Sequence, residues 1–149
     1  MNQAAADRVL IDTGPLVAIF SREDSHHGVC VEALRAMSGP LYSCWPVITE
    51  AAWLLRRFPR AVQLLLESAN TGFLELLPLS GTEAKAIAAL MKRYQSIHAQ
   101  LADAALVYLA GRERIDTIFT LDRRDFSVYR SGRGRAFRIV PQIDAPQID

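Results

Sequence analysis

Short apolar runs rich in β-branched residues alternate along this chain with longer stretches whose apolar positions recur at helical spacing. Val9-Leu10-Ile11 is such a run, and Thr13-Gly14-Pro15 after it turns the chain and opens a helix with proline at an early position. Ser21 to Ser25 reads as a loop. A second helix is predicted from about His26 to Met37, closed by Ser38-Gly39-Pro40. Leu41-Tyr42-Ser43 reads as a second strand, and Pro46 with Val47, Ala51, Leu54 and Leu55 as a helix that carries Glu50 in its first turns. Pro59 opens another helix to about Asn70, and Gly72 introduces a third strand over Phe73 to Leu77. Gly81 to Tyr94 is helical by alanine content and spacing. After a break over Gln95 to Ala99, Leu101 to Ala110 is a helix apolar on nearly every side, and Gly111 is its expected stop. Thr117 to Thr120 and Phe137 to Val140 complete the strands. Strands alternating with helices predict a parallel sheet covered on both faces, with ligands at the carboxyl ends of its strands.

Composition narrows the picture without changing it. With 149 residues, half of them hydrophobic, the expectation is one domain over 1–149, its core about 9–140 and a short tail over 141–149. Cys30 and Cys44 have neither disulfide nor zinc spacing and read as buried thiols in a reducing cytoplasm. Met1 to Arg8 lacks the pattern of a secretory leader, and no stretch is long and apolar enough to span a membrane, so a cytoplasmic protein is expected. The net charge of +1 conceals a polarised distribution: Arg123, Arg124, Arg130, Arg133, Arg135 and Arg138 against Asp125 give that segment +5 and leave −4 elsewhere.

The candidate chemistry lies in Asp12, Glu50, Asp103 and Asp122, four acidic residues in separated segments, each where an apolar element begins or ends. Gathering carboxylates has no stability rationale of its own, because like charges repel and each costs desolvation. A hard divalent cation such as Mg²⁺ or Mn²⁺ supplies one, since it takes oxygen ligands and works by bridging to phosphate. Each residue also has a structural explanation. Asp12 and Asp122 can cap the helices that follow, Asp103 can pair with an arginine or cap, and a glutamate early in a helix is commonplace.

Val9-Leu10-Ile11-Asp12-Thr13-Gly14-Pro15-Leu16-Val17-Ala18, then Thr49-Glu50-Ala51-Ala52-Trp53-Leu54-Leu55, then Leu101-Ala102-Asp103-Ala104-Ala105-Leu106, then Thr120-Leu121-Asp122-Arg123-Arg124-Asp125-Phe126 resemble the four motifs of PIN domains in order and spacing, most closely in the VapC-like toxin branch. The resemblance implies a three-layer α/β/α sandwich with a central parallel sheet of four to five strands. It further implies a Mg²⁺- or Mn²⁺-dependent ribonuclease with one or two ions, a homodimer, and inhibition by a small cognate antitoxin. By motif, Asp12, Glu50, Asp103 and Asp122 are the implied metal and catalytic residues, Thr13 and Thr120 supporting hydroxyls, and Asp125 an auxiliary acid.

Arg123, Arg124, Arg130, Arg133 and Arg135 are assigned to the RNA backbone, because phosphate contacts dominate affinity; a solvated loop or an antitoxin contact is the alternative. Tyr129, inside this segment, is a candidate base-stacking residue. Trp45, Trp53, Phe58 and Phe73 are expected in the core or a dimer interface, and His26, His27 and His98 are set aside as solvated. A PIN-type scaffold that binds RNA or protein without cutting is the main rival. A receiver-like phosphoacceptor domain is more distant, for it needs an acidic pair beside Asp12 and a lysine after a late strand, whereas Lys85 and Lys92 fall in a helix. The tail repeats Pro-Gln-Ile-Asp at 141–144 and 146–149 with no functional reading.

Overall fold

A computed structural model describes residues 8–142. The strands are β1 (Val9–Ile11), β2 (Leu41–Ser43), β3 (Leu74–Leu76), β4 (Thr117–Phe119) and β5 (Arg138–Val140). The helices are α1 (Thr13–Phe20), α2 (His27–Arg35), α3 (Trp45–Leu54), α4 (Pro59–Asn70), α5 (Ala84–Arg93), α6 (Leu101–Glu113) and the single turn α7 (Arg123–Phe126). All strands are parallel, in the order β3-β2-β1-β4-β5, with helices flanking the sheet as α/β/α layers.

Burial explains the composition of the strands. Leu10, Ile11, Ile118 and Phe119 are fully buried in the two middle strands, which have helices on both faces, so they read as continuous apolar runs rather than alternating ones. α1 packs against α2, α3 and α4, while α6 packs against α3 and α5. α6 is the most buried helix, with Ala102, Ala104, Ala105, Leu106, Val107, Leu109 and Ala110 in the core. Cys30 and Cys44 are buried free thiols, each pushed up to about 11 chiefly by burial. No helix among the described residues is long and apolar enough to cross a membrane.

Several boundaries differ from the sequence expectation, each for a local reason. α2 is shorter at both ends, His27–Arg35, and the α5 region begins as a 3₁₀ turn over Gly81–Glu83 held by a Ser80–Glu83 capping box. Gly111 does not stop α6. The helix continues to Glu113 and ends at Arg114, which takes the left-handed conformation (φ 56°). Gly111 serves a close approach instead, since a Cβ there would lie 2.9 Å from the Gly132 backbone nitrogen. A chain crossing that close demands glycine whatever the helix propensity. The second Pro-Gln-Ile-Asp copy lies outside the described residues.

Candidate functional site

Because every strand is parallel, the carboxyl ends of β1 and β4 meet at one edge, and the residues that follow them become neighbours. Asp12 follows β1, donates its backbone N–H to the Phe119 carbonyl at 2.9 Å, and caps α1, where its Oδ1 accepts from the Thr13 N–H at 2.8 Å. Its Oδ2 accepts from the Thr120 hydroxyl at 2.8 Å, a bond between residues 108 positions apart. Thr120 is fully buried, and its Oγ1 in turn accepts from the Asp122 N–H at 3.0 Å. One threonine therefore fixes the first carboxylate and the backbone of the last. Asp122 caps α7, with its Oδ1 accepting from the Asp125 N–H at 3.1 Å.

Asp103 enters from the third side. It occupies the first turn of α6, where its Oδ2 accepts from the Gln100 N–H at 3.0 Å in a capping box. Glu50 comes from the second turn of α3, within the first turns expected, with Trp45 and Pro46 opening the helix. Asp12, Glu50, Asp103, Asp122 and Asp125 all line one open cleft of about 630 Å³. Among the described residues, no three histidine, cysteine or acidic side chains close on a single point.

The charges are uncomfortable there. Asp12, only 8% exposed, is raised to about 6, first by desolvation and then by Asp103 and Glu50, against the lowering effect of its bonds from Thr120 and Thr13. Desolvation also raises Asp103, with Asp122 and Asp125 adding to it, and raises Glu50, whose exposed side chain feels Asp103 as well. Asp125 is raised by desolvation and by Asp122, while Arg124 and His98 oppose the shift. Burial with mutual repulsion across several elements is the reverse of a stabilising network, in which opposite charges pair.

The PIN domain family matches residues 9–131. The chain belongs to that family. Ribonuclease VapC26 of Mycobacterium tuberculosis is 33% identical over 135 residues, which are 89% of this chain and the whole of that protein, and places the chain in the VapC-like branch. The crystal structure of VapC20 from the same organism, a sarcin-ricin loop cleaving toxin, superposes with a TM-score of 0.69 at 14% identity, over 74% of this chain and 86% of that one; this likeness supports the fold.

Around the PIN cleft, other sequence expectations divide. Thr13 is buried at the cleft wall, and its hydroxyl has no hydrogen-bond partner among the described residues. His98 and Gln100 also line the cleft. From sequence His98 reads as solvated, with no nucleophile beside it; its left-handed backbone (φ 59°) at the turn before α6 brings it to the rim, and nothing in its neighbours signals that turn. Tyr129 cannot stack on a base. It is fully buried, edge-on to Tyr94 at 4.9 Å and to Phe126 at 5.0 Å, because the segment after α7 folds back into the core.

The arginines have unequal freedom. Arg130 donates to the carbonyls of Ser127, Val128 and Tyr129, Arg135 pairs with Asp116 at 3.1 Å, and Arg123 donates to the Pro141 carbonyl at 2.8 Å. Arg124 and Arg133 are exposed and have no ion-pair partner among the described residues. Trp45 and Trp53 are 59% and 63% exposed, and Phe58 is exposed too, which removes them from the core; Phe73 packs edge-on to Phe20 at its margin.

Proposed function

We propose that this PIN-domain chain is a metal-dependent endoribonuclease and VapC-type toxin, hydrolysing phosphodiester bonds of RNA and neutralised in the cytoplasm by a small cognate antitoxin. The observation that carries the reading is the single cleft lined by Asp12, Glu50, Asp103 and Asp122 from four separate elements. The name of VapC26, a ribonuclease 33% identical over the whole of its own length, supports the same activity.

The donor set fits Mg²⁺ or Mn²⁺. All the side chains are hard oxygen donors, the chemistry that suits an ion which keeps several waters and takes one or two carboxylates directly. Asp12 and Asp103 are the proposed direct ligands of one or two ions, and Glu50 and Asp122 the residues acting directly or through water, with Asp125 auxiliary. Such an ion lowers the pKa of bound water and draws charge from the phosphoryl oxygens. The protein's own part is positioning. Thr120 holds the Asp12 carboxylate and the Asp122 backbone together, and the unpartnered Thr13 hydroxyl supplies a donor for a water or phosphate oxygen. Arg124 and Arg133 are the freest of the cations proposed to meet the RNA backbone.

Homodimerisation belongs to the same proposal. The exposed Trp45, Trp53 and Leu101 line one shallow surface cleft and present apolar area of the kind that associating proteins bury.

The test is cleavage of total RNA by the purified protein with Mn²⁺. We expect cleavage that EDTA abolishes and that Asp103→Asn loses by about 100-fold or more, a typical cost of removing a group that stabilises the transition state. RNA binding with no metal-dependent cleavage would replace this reading with the non-catalytic module.

A further inference from the structure

A second cavity, of about 530 Å³, lies between α5, α6 and the loop after Tyr129, and its charge is opposite to that of the acidic cleft. Arg93, Arg112 and Arg133 line it, and no acidic residue does. Arg112 is already matched, by Glu83 at 2.6 Å and Glu113 at 2.9 Å. Arg93 and Arg133 are exposed and have no ion-pair partner among the described residues. Small residues, Ala86, Ala89, Gly111 and Gly132, form the rest of the wall with Leu90 and Tyr108, leaving room for a bulky tetrahedral group to approach the guanidinium forks.

The cavity's position relates it to the cleft. Gly111 is eight residues beyond Asp103 on the same helix, about 12 Å along its axis at 1.5 Å per residue. Arg93 is five residues before His98, which lines the acidic cleft. That separation is within the reach of a few nucleotides of single strand.

We propose that Arg93 and Arg133 form a cationic subsite that grips a backbone phosphate of single-stranded RNA a few nucleotides from the bond held in the acidic cleft; this rests on the ribonuclease reading above. Arginine suits the role, because its planar fork takes phosphate oxygens in pairs. The subsite also answers an electrostatic difficulty: a cleft lined by carboxylates repels a polyanion, and a cationic anchor outside it offsets that repulsion. Since phosphate contacts carry no sequence information, the subsite sets affinity and register.

The test is fluorescence anisotropy with a short labelled oligouridylate long enough to span both sites, in EDTA so that nothing is cut. For the Arg93→Gln/Arg133→Gln double variant we expect affinity at moderate salt to fall about tenfold and the slope of log K against log salt to flatten by about 0.7, the loss for one phosphate contact on a single strand. Ala89→Glu, which sets an acid in the wall while keeping both arginines, should weaken binding likewise. An Arg22→Gln/Arg35→Gln control, with the same charge change on the α1–α2 side, should leave the slope unchanged. An unaltered slope in the double variant or an equal loss in the control would overturn the proposal. Oligouridylate that fails to bind the wild type would overturn it as well. The nuclease reading is judged separately, by Mn²⁺-dependent cleavage of total RNA.

Discussion

Replacing Asp12 with asparagine should stabilise the metal-free protein while removing its proposed metal ligand. The Asp12 carboxyl is raised from 3.8 to about 6, mainly by burial, so it behaves oppositely to a salt-bridged acid. Below about pH 4 it is protonated folded or unfolded and costs nothing. Between about pH 4 and 6 the unfolded chain ionises while the fold resists, and the penalty grows to about 3 kcal/mol, at about 1.4 kcal/mol per pH unit, and stays constant above. Stability in EDTA should thus fall as pH rises through that window, and the raised Glu50, Asp103 and Asp125 act in the same direction. Asparagine keeps an acceptor for the Thr13 N–H but turns a donor toward the Thr120 hydroxyl, whose lost acceptor costs about 1 kcal/mol. The net gain near pH 7.5 is about 2 kcal/mol, or about 4 to 8 °C in melting temperature for a chain of this length. Thermal unfolding of wild type and Asp12→Asn in EDTA, at about pH 4.5 and 7.5, reads it directly. A variant no more stable than wild type near pH 7.5, with an undiminished pH dependence, would refute the claim that this carboxylate is strained by its site.

Three further outcomes follow from the same geometry. Mn²⁺ at a hundredfold excess over its dissociation constant should raise wild-type stability by about 2.7 kcal/mol, an effect that weakens below about pH 6, where Asp12 takes up a proton, and disappears in Asp12→Asn; an identical thermal shift in the variant would remove Asp12 from the ligand set. Gly111→Ala gains about 1 kcal/mol of helix propensity but places a Cβ 2.9 Å from the Gly132 nitrogen, an overpacking cost of about 1 to 3 kcal/mol, so denaturant unfolding should show a small net loss rather than the gain expected of an unconstrained helix. Trp53→Glu, at a 63% exposed position, should leave the fold intact and shift sedimentation toward monomer, whereas an unchanged association state would exclude this face from the dimer.

The sheet and the acidic set were legible because both are written in strong, local signals. Val9-Leu10-Ile11 ahead of Asp12 and Thr117-Ile118-Phe119 ahead of Thr120 are buried runs cut off by polar residues, and parallel topology converts two strand ends into neighbours. Gly111 was misread because a glycine near a helix end signals a stop by propensity, whereas its actual partner, Gly132, is distant in sequence and only tertiary packing reveals it. Tyr129 was misread for a similar reason: its arginine neighbours suggested a surface, yet its ring closes a cluster with Tyr94 and Phe126. Nothing in the sequence marks which arginines are committed, since the bonds of Arg130 run to nearby carbonyls that any loop possesses.

The capping explanation for the acidic residues and the functional one turn out to be compatible. Asp12 caps α1, Asp103 completes the capping box of α6, and Asp122 caps α7; the bond that anchors Asp103 occupies Oδ2, and the one that anchors Asp122 occupies Oδ1. In Asp103 and Asp122 the cap fixes the carboxylate through one oxygen and leaves the other for a ligand. Both oxygens of Asp12 already accept, from Thr13 and Thr120, and a ligand there would use their remaining lone pairs. Helix initiation and site assembly thus use the same side chains. Caps also set the positive ends of α1 and α6 beside the clustered charge. Each such helix end relieves it by about 0.3 to 1 kcal/mol, less than the roughly 3 kcal/mol that burial and repulsion impose on Asp12 alone. Helix ends therefore cannot neutralise the site. The remaining strain is what a divalent cation would relieve, which links the stability of the metal-free protein to its affinity for metal: substitutions that ease the first should weaken the second.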